Sequence, residues 1–159
     1  MLSADALARI DREIAKYPPE WRRSAVMAAL VIAQEEKKWL APETLEFVAQ
    51  YLGMPPVAVY EVATFYGMYD LAPVGRYKLS ICTCLPCGLQ GALAAADRLR
   101  ERLGIGFGET TRDGLFTLKE SECMGACASA PVLLVNDKRM LEGMTPERID
   151  ALLEELRRK

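Results

Sequence analysis

All five cysteines of the chain fall in two short segments, and the sequence contains no histidine. The first segment is Cys82-Thr-Cys-Leu-Pro-Cys87, and the second is Cys123-Met-Gly-Ala-Cys127. Their outer cysteines are spaced C-x4-C and C-x3-C, and Cys84 is an additional thiol inside the first segment. Any metal site must therefore be built from thiolates, supplemented at most by a carboxylate.

The spacing of these segments favours a two-iron cluster over a zinc ion. Structural zinc sites usually use two tight pairs, often C-x2-C, because each pair forms a small chelate loop around one ion. The wider C-x4-C and C-x3-C pairs suit a broader cluster in which each iron takes the two thiolates of one segment. Gly88 and Gly125 next to the cysteines permit close backbone approach, and we expect their N–H groups to point at sulfur.

Two other interpretations of the cysteines stay open. Cys84-Leu-Pro-Cys87 is a C-x-x-C motif after a predicted strand and before a predicted helix, which is the setting of a thioredoxin-type dithiol. That interpretation leaves Cys123 and Cys127 without a role. Cysteines also occur simply as small buried apolar side chains, but two clusters in loops beside glycines are a poor match for that explanation.

The composition excludes several classes of function. The net charge is −2, with no basic stripe to neutralise a phosphate backbone, so we expect no nucleic-acid partner. No apolar run approaches the roughly 20 residues that a membrane-spanning helix needs. Asp5, Arg9 and Asp11 interrupt the region where a secretory signal would be apolar. We therefore expect a cytoplasmic location, where thiols stay reduced and clustered cysteines favour metal or redox chemistry.

The elements that position the cysteines are predicted to form an α+β protein of two domains. Residues 1–74 show helical periodicity punctuated by prolines, which predicts a small helical bundle. Its helices are expected to begin after Ser3, at Pro19, at Pro42 and at Pro55-Pro56.

Residues 75–159 change to strand-like alternation and predict a thioredoxin-like β-α-β-β-α ferredoxin domain with a mixed sheet. A crossover helix over about 88–103 implies a parallel first pair of strands, and the Asn136-Asp137 turn implies an antiparallel last pair. All four outer cysteines then lie at strand ends, and a helix N-terminus after Cys87 is expected to stabilise negative charge. The strands are expected at 77–82, 116–119, 132–135 and 139–141, with a last helix capped by Thr145.

The motifs around the cysteines occur in an order that resembles one protein family. Glu61-Val-Ala-Thr-Phe-Tyr66 and Pro73-Val-Gly-Arg-Tyr77 precede the first segment, and Ala130-Pro131 follows the second. Together they resemble the 24-kDa subunit of respiratory NADH:quinone oxidoreductase (complex I), a thioredoxin-like ferredoxin with an N-terminal helical segment. The resemblance covers nearly the whole chain.

The resemblance implies one 2Fe–2S cluster with Cys82, Cys87, Cys123 and Cys127 as its ligands. Cys84 stands where the family commonly has Thr or Asn. It is interpreted as a residue that is not a ligand but is able to take the place of one of the four ligand cysteines. Ser129 replaces a common Asn and is expected to alter a hydrogen bond near the cluster.

The resemblance also implies an electron-transfer role and a set of partners. The cluster is expected to exchange one electron with FMN on a neighbouring flavoprotein subunit that binds NADH, beside other peripheral-arm subunits at the cytoplasmic face of the inner membrane. The isolated chain is expected not to oxidise NADH. The alternatives are the equivalent subunit of an NAD-linked formate dehydrogenase or NAD-reducing hydrogenase and, in another class, a free dithiol oxidoreductase that uses Cys84 and Cys87.

One aromatic stretch, 61–69, has two interpretations. Phe65, Tyr66, Met68 and Tyr69 either form a buried hinge between the two domains or provide a surface that docks on the flavoprotein.

Overall fold

The structure, a computed structural model, describes residues 1–158. It separates into two compact units, Met1–Pro73 and a second unit that begins at Val74. Among the described residues, no helix combines the length and apolar character required to cross a bilayer.

The first unit is helical, as the prolines and periodicity predict. Ser3 caps the first helix, where its Oγ accepts a hydrogen bond from the Ala6 N–H at 3.2 Å. The helix predicted from Pro19 is instead two elements, and Trp21, inside the first of them, leaves the helical region with φ −107° and ψ 18°. The elements are α1 (Ala4–Ile14), a 3₁₀ helix (Pro19–Ala25), α2 (Val26–Lys37), α3 (Pro42–Leu52) and α4 (Pro56–Phe65).

The second unit contains a four-stranded mixed sheet with helices. The strand order is β2-β1-β3-β4, in which β1 and β2 are parallel and the other neighbours are antiparallel. The predicted α+β class and mixed sheet are confirmed, but the second unit has one strand and one helix more than the predicted β-α-β-β-α order, because its observed order is β-α-α-β-β-β-α. The elements are β1 (Tyr77–Cys82), α5 (Leu85–Leu89), α6 (Ala92–Leu103), β2 (Phe116–Ser121), β3 (Leu133–Val135), β4 (Arg139–Leu141) and α7 (Pro146–Arg158).

The crossover helix is predicted over 88–103, and its predicted beginning at residue 88 is wrong. A separate short helix, α5, holds the end of the first cysteine segment, and the long helix α6 begins only at Ala92. The break lies at Gly91, whose φ of 91° is left-handed and stops a helix from continuing. Glycine adopts this conformation without the steric cost that a side chain would add.

The central strand β1 fixes the first cysteine segment, because both of its faces are covered. Leu79 and Ile81 are fully buried in the core of this unit, and Lys78 is buried with its ammonium 2.6 Å from Asp137. Asn136 and Asp137 both have positive φ, and the Asn136 side chain accepts the Lys78 N–H at 2.7 Å. The predicted Asn-Asp turn is thus confirmed.

Candidate metal centre

Cys82 is the most firmly held of the five cysteines. It ends β1, is fully buried, and donates its N–H to the carbonyl of Val132 at 3.1 Å. In the parallel pair of β1 and β2 it lies opposite Ser121, so the residues that follow both strands leave the sheet at the same edge. This register brings the two cysteine segments together.

Cys87 lies within the short helix α5 rather than in a loop before a helix. Its side chain is buried beside Cys82, Ala92 and Val132. The Gly88 N–H donates to the Cys84 carbonyl at 2.8 Å and so completes a helical turn instead of pointing at sulfur. The predictions of a Gly88 hydrogen bond to sulfur and of a long helix beginning directly after Cys87 are therefore wrong.

Cys123 and Cys127 are exposed, in contrast to the buried pair. Cys123 follows the end of β2, and Cys127 begins a 3₁₀ turn, Cys127–Ser129. Between them Gly125 has a φ of 74°, and its N–H donates to the Cys123 sulfur at 3.4 Å. The expected role of this glycine is confirmed, since its left-handed backbone turns an amide toward a thiol.

The two segments meet at Cys82. Burial opposes ionisation of the Cys82 thiol, but hydrogen bonds outweigh burial and lower its pKa. The donors to its sulfur are the backbone N–H of Cys84, the thiols of Cys87 and Cys84, and the backbone N–H of Met124. Because Met124 belongs to the second segment, its N–H joins one cysteine segment to the other.

The other thiols oppose each other's ionisation. Burial, followed by the hydrogen bond to Cys82 and the charges of Cys82, Cys127 and Cys123, raises the pKa of Cys87 to about 11. The hydrogen bond to Cys123, and then its charge, raise the pKa of Cys127. Thiolates crowded in this way are stabilised when they bind cations, which replace the missing positive charge.

Cys84 lies beside this group and is half-buried. Burial, followed by its hydrogen bond to Cys82, raises the pKa of Cys84 to about 11. A raised pKa disfavours the thiolate that a dithiol oxidoreductase requires, and Cys87 shares this property. All five cysteines are free thiols.

Thiol–thiol hydrogen bonds join the four outer cysteines as two pairs. Cys82 is hydrogen-bonded to Cys87, and Cys123 to Cys127. Within residues 1–158, no three side chains of the Cys, Asp or Glu type are arranged to hold a single metal ion. Two pairs match a two-iron cluster, in which each iron takes two protein thiolates.

A further contact that the sequence does not reveal positions the first segment. The Thr83 hydroxyl donates to the Glu120 carboxylate at 2.6 Å. Glu120 lies on β2 opposite Ile81, so this bond ties the start of the first segment to the neighbouring strand. Only the strand register brings these two residues together, and the sequence pattern gives no signal of it.

The comparison with known families agrees with this geometry. Residues 10–157 match the family model described as thioredoxin-like [2Fe-2S] ferredoxin. The chain belongs to the thioredoxin-like [2Fe-2S] ferredoxin family. The resemblance drawn from the sequence is thus confirmed, and the cofactor of this ferredoxin is a 2Fe–2S cluster.

Curated relatives of this ferredoxin carry respiratory names. The chain is 46% identical over 148 residues to NADH-quinone oxidoreductase subunit 2 of Thermus thermophilus, covering 93% of this chain and 82% of the relative. It is 45% identical over 145 residues to a subunit of the NADH-quinone oxidoreductase of Rickettsia bellii, covering 91% of this chain and 86% of the relative.

A solved structure is similar in fold to the ferredoxin. It is an NAD⁺-reducing [NiFe]-hydrogenase, with a TM-score of 0.69 and 24% identity over 81% of this chain. The ferredoxin spans 22% of that hydrogenase chain, so the likeness concerns the fold alone.

The residues present in the ferredoxin fit its cofactor. Four thiols in two pairs are of the soft, ionisable ligand type that iron–sulfur clusters use. The backbone N–H groups of Cys84, Met124 and Gly125 already donate to sulfur, and such bonds stabilise the negative charge of a bound cluster. They take the place of the helix N-terminus that the sequence led us to expect.

Proposed function

We propose that this chain is the electron-transfer subunit of an NADH:quinone oxidoreductase, with one 2Fe–2S cluster held by Cys82, Cys87, Cys123 and Cys127. The observation that carries the proposal is the hydrogen-bonded meeting of two cysteine pairs, joined through the Met124 N–H and the Cys82 sulfur. When bound, the cluster supplies one-electron transfer to and from FMN on a partner flavoprotein.

The protein's part in this function is to hold the thiolates and to control access to them. Cys82 and Cys87 lie in the interior with Ala92 and Val132, whereas Cys123 and Cys127 are exposed. One side of the centre is thus covered by protein and the other faces outward. Electron transfer requires a short distance, so the exposed side is the one that a redox partner must approach.

The partner that we propose is the FMN- and NADH-binding flavoprotein subunit, together with other subunits of the peripheral arm. Leu85 and Leu89 on α5 flank the buried Cys87, and their side chains are 77% and 78% exposed. Exposed apolar side chains next to a redox centre suit a protein interface. We further propose that the assembly keeps this chain at the cytoplasmic face of the inner membrane.

We assign the electron-transfer function to the domain of residues 75–159 and a supporting role to residues 1–74. In the aromatic stretch, Tyr69 is 4% exposed and its hydroxyl donates to the Met27 carbonyl at 3.0 Å, so this residue is part of the helical core. Phe65 is 79% exposed. It is the residue of the stretch that we propose contacts another subunit.

This division of labour leaves NADH oxidation to the partner. The test compares NADH-dependent ferricyanide reduction by the purified chain, by the flavoprotein subunit and by both together. We expect no rate with the chain alone, and reduction of its cluster by NADH only when the flavoprotein is present. NADH oxidation by the isolated chain would overturn the proposal.

The remaining alternatives differ in assembly or in chemistry. Membership of an NAD-linked formate dehydrogenase or an NAD-reducing hydrogenase would keep the same cluster and is distinguished by the proteins that co-purify with the tagged chain. A dithiol oxidoreductase would instead reduce insulin disulfides with Cys84 and Cys87. Their raised pKa values speak against that activity.

A further inference from the structure

We propose that Cys84 is a reserve ligand of the metal centre, able to bind iron together with Cys87 when Cys82 is missing. The inference rests on the proposed cluster function and deepens it. It concerns a cysteine that the four-ligand assignment leaves without a role, in a segment that contains three thiols where two suffice.

The position of the Cys84 thiol is the first support. It is hydrogen-bonded to the Cys82 thiol, so the two sulfur atoms already occupy neighbouring positions at the centre. The charge of Cys123 also acts on Cys84, which places this thiol near the second segment. Cys84 packs against the buried group formed by Cys82 and Cys87 rather than standing apart in solvent.

The local backbone is the second support. Cys84 is the residue immediately before α5, and Cys87 is the third residue of that helix. Side chains at this capping position often hydrogen-bond the N–H of the second or third helical residue. Cys84 makes no capping hydrogen bond of its own, so its sulfur is not committed to the helix.

The spacing is the third support. Cys84 and Cys87 form a C-x2-C pair, the spacing that most often closes a small chelate loop around one metal ion. The Cys82 variant lacks one thiolate, and Cys84 replaces it by releasing one proton to solvent. The ligand set then has the same number of thiolates and the same charge as in wild type, and no oxidant or reductant is needed.

The second segment offers the matched control. It contains only Cys123 and Cys127, and all the other cysteines of the chain belong to the first segment. Loss of Cys82 thus leaves four cysteines that include a spare at the same strand end. Loss of Cys123 leaves four cysteines of which three crowd into the first segment, and only one remains to hold the other iron.

The test reconstitutes full-length variants anaerobically with ferrous iron and sulfide, followed by removal of all small thiols. Iron, acid-labile sulfide, visible absorption and electron paramagnetic resonance are then measured for wild type, Cys84→Ala, Cys82→Ala, Cys82→Ala/Cys84→Ala and Cys123→Ala. We expect Cys82→Ala to keep a full cluster with altered spectra. The double variant and Cys123→Ala should each retain at most about a tenth of the iron found in wild type.

The outcomes separate this inference from the function on which it rests. A Cys82→Ala protein as empty as the double variant, beside a loaded wild type, overturns the role of Cys84 alone. Equal retention in Cys82→Ala and Cys123→Ala also overturns it, since replacement ligands would then come from elsewhere. An empty wild type and an empty Cys84→Ala protein overturn the cluster function itself.

A second variant guards against a folding defect at the buried strand end. Cys82→Val fills the space of the buried thiol and cannot bind iron. Circular dichroism and thermal melting show whether Cys82→Ala and Cys82→Val fold, and the iron content is compared for the variant that does. Alkylation adds an independent readout. Because iodoacetamide attacks the thiolate and the pKa of Cys84 is raised, the reaction is followed at alkaline pH until Cys84 of loaded wild type is alkylated. Cys84 should be protected in the loaded Cys82 variant over the same time; equal alkylation in both contradicts the proposal.

Discussion

The backbone N–H of Met124 donates a hydrogen bond to the sulfur of Cys82. Met124 lies in the second cysteine segment and Cys82 ends β1, so this bond connects the two halves of the proposed ligand set. Because the parallel register sets both strand ends at one edge, the sheet positions both segments for this contact. The fold thus brings the two halves of the proposed ligand set together.

The hydrogen bond between Thr83 and Glu120 is expected to slow the loss of iron from the centre. It ties the first segment to β2 at 2.6 Å. A partly exposed bond of this kind contributes about 1 kcal/mol, so Thr83→Val should accelerate iron transfer to a chelator about 3- to 10-fold. Release is followed as bleaching of the visible absorption.

A matched control for Thr83→Val is Thr64→Val, which removes a hydroxyl bonded only to carbonyls of its own helix α4. It should leave the chelation rate at the wild-type value. Equal bleaching rates for Thr83→Val and wild type would show that the bond to Glu120 does not hold the segment.

The core beneath the centre is expected to be sensitive to cavity formation. Ile81 is fully buried on β1, directly before Cys82. Ile81→Ala should lower the free energy of unfolding by about 2–5 kcal/mol, because truncation removes buried methyl groups and leaves a cavity. Leu93→Ala, at an exposed position on α6, should change it by less than about 0.5 kcal/mol. Urea unfolding of both variants is the measurement, and equal effects would contradict the assigned burial.

The exposed leucines of α5 are expected to carry partner binding rather than stability. Leu89→Glu places a charge beside the centre on the surface that we propose to meet the flavoprotein. We expect the Kd for the flavoprotein to rise at least tenfold, which corresponds to about 1.4 kcal/mol, with iron content unchanged. The control is Met140→Glu on β4, a similar change at another exposed site. Unaltered affinity in Leu89→Glu would remove α5 from the interface.

The ion pairs between α6 and α7 are expected to make the free energy of unfolding depend on pH in the acid range. Hydrogen bonding from Arg98 at 2.6 Å, followed by the charge of Arg102, keeps the pKa of Asp150 below its usual value. A carboxyl pKa that is lower in the folded state contributes stability above its unfolded pKa, and this is lost as the pH falls through the folded pKa. The contribution should therefore begin to fall as the pH drops to about 4 and be lost below the lowered pKa of Asp150.

Asp150→Asn should be less stable than wild type at pH 7, and the two proteins should converge as the pH is lowered to 3. Chemical unfolding at both values measures the difference. A constant gap between the two proteins at pH 7 and pH 3 would show that this carboxylate does not contribute through its charge.

Much of the fold follows from local signals in the sequence. Ser3 caps α1 and Gly53 ends α3 in a left-handed conformation, because a capping hydroxyl and a glycine act within one turn of their helix. The Asn136-Asp137 turn is equally local, since both residues tolerate positive φ. Short-range preferences of this kind are strong enough to be read without tertiary contacts.

The details of the site depend on long-range geometry and could not be predicted. To predict that the helix breaks at Gly91, one would need to know that Cys87 packs beside Cys82. The donation from Met124 to sulfur depends on how two loops meet across the parallel register. The sequence nevertheless identifies Gly125, because a left-handed glycine between two cysteines is a local feature.

The assignment of four thiolates from both segments to one cluster is tested most directly by electron paramagnetic resonance of the reconstituted, dithionite-reduced chain. We predict a rhombic signal that integrates to roughly one spin per chain in wild type, as for a single reduced 2Fe–2S cluster, and less than about a tenth of it in Cys127→Ala. A signal of full intensity in Cys127→Ala, or a wild-type chain without any signal, would contradict the assignment.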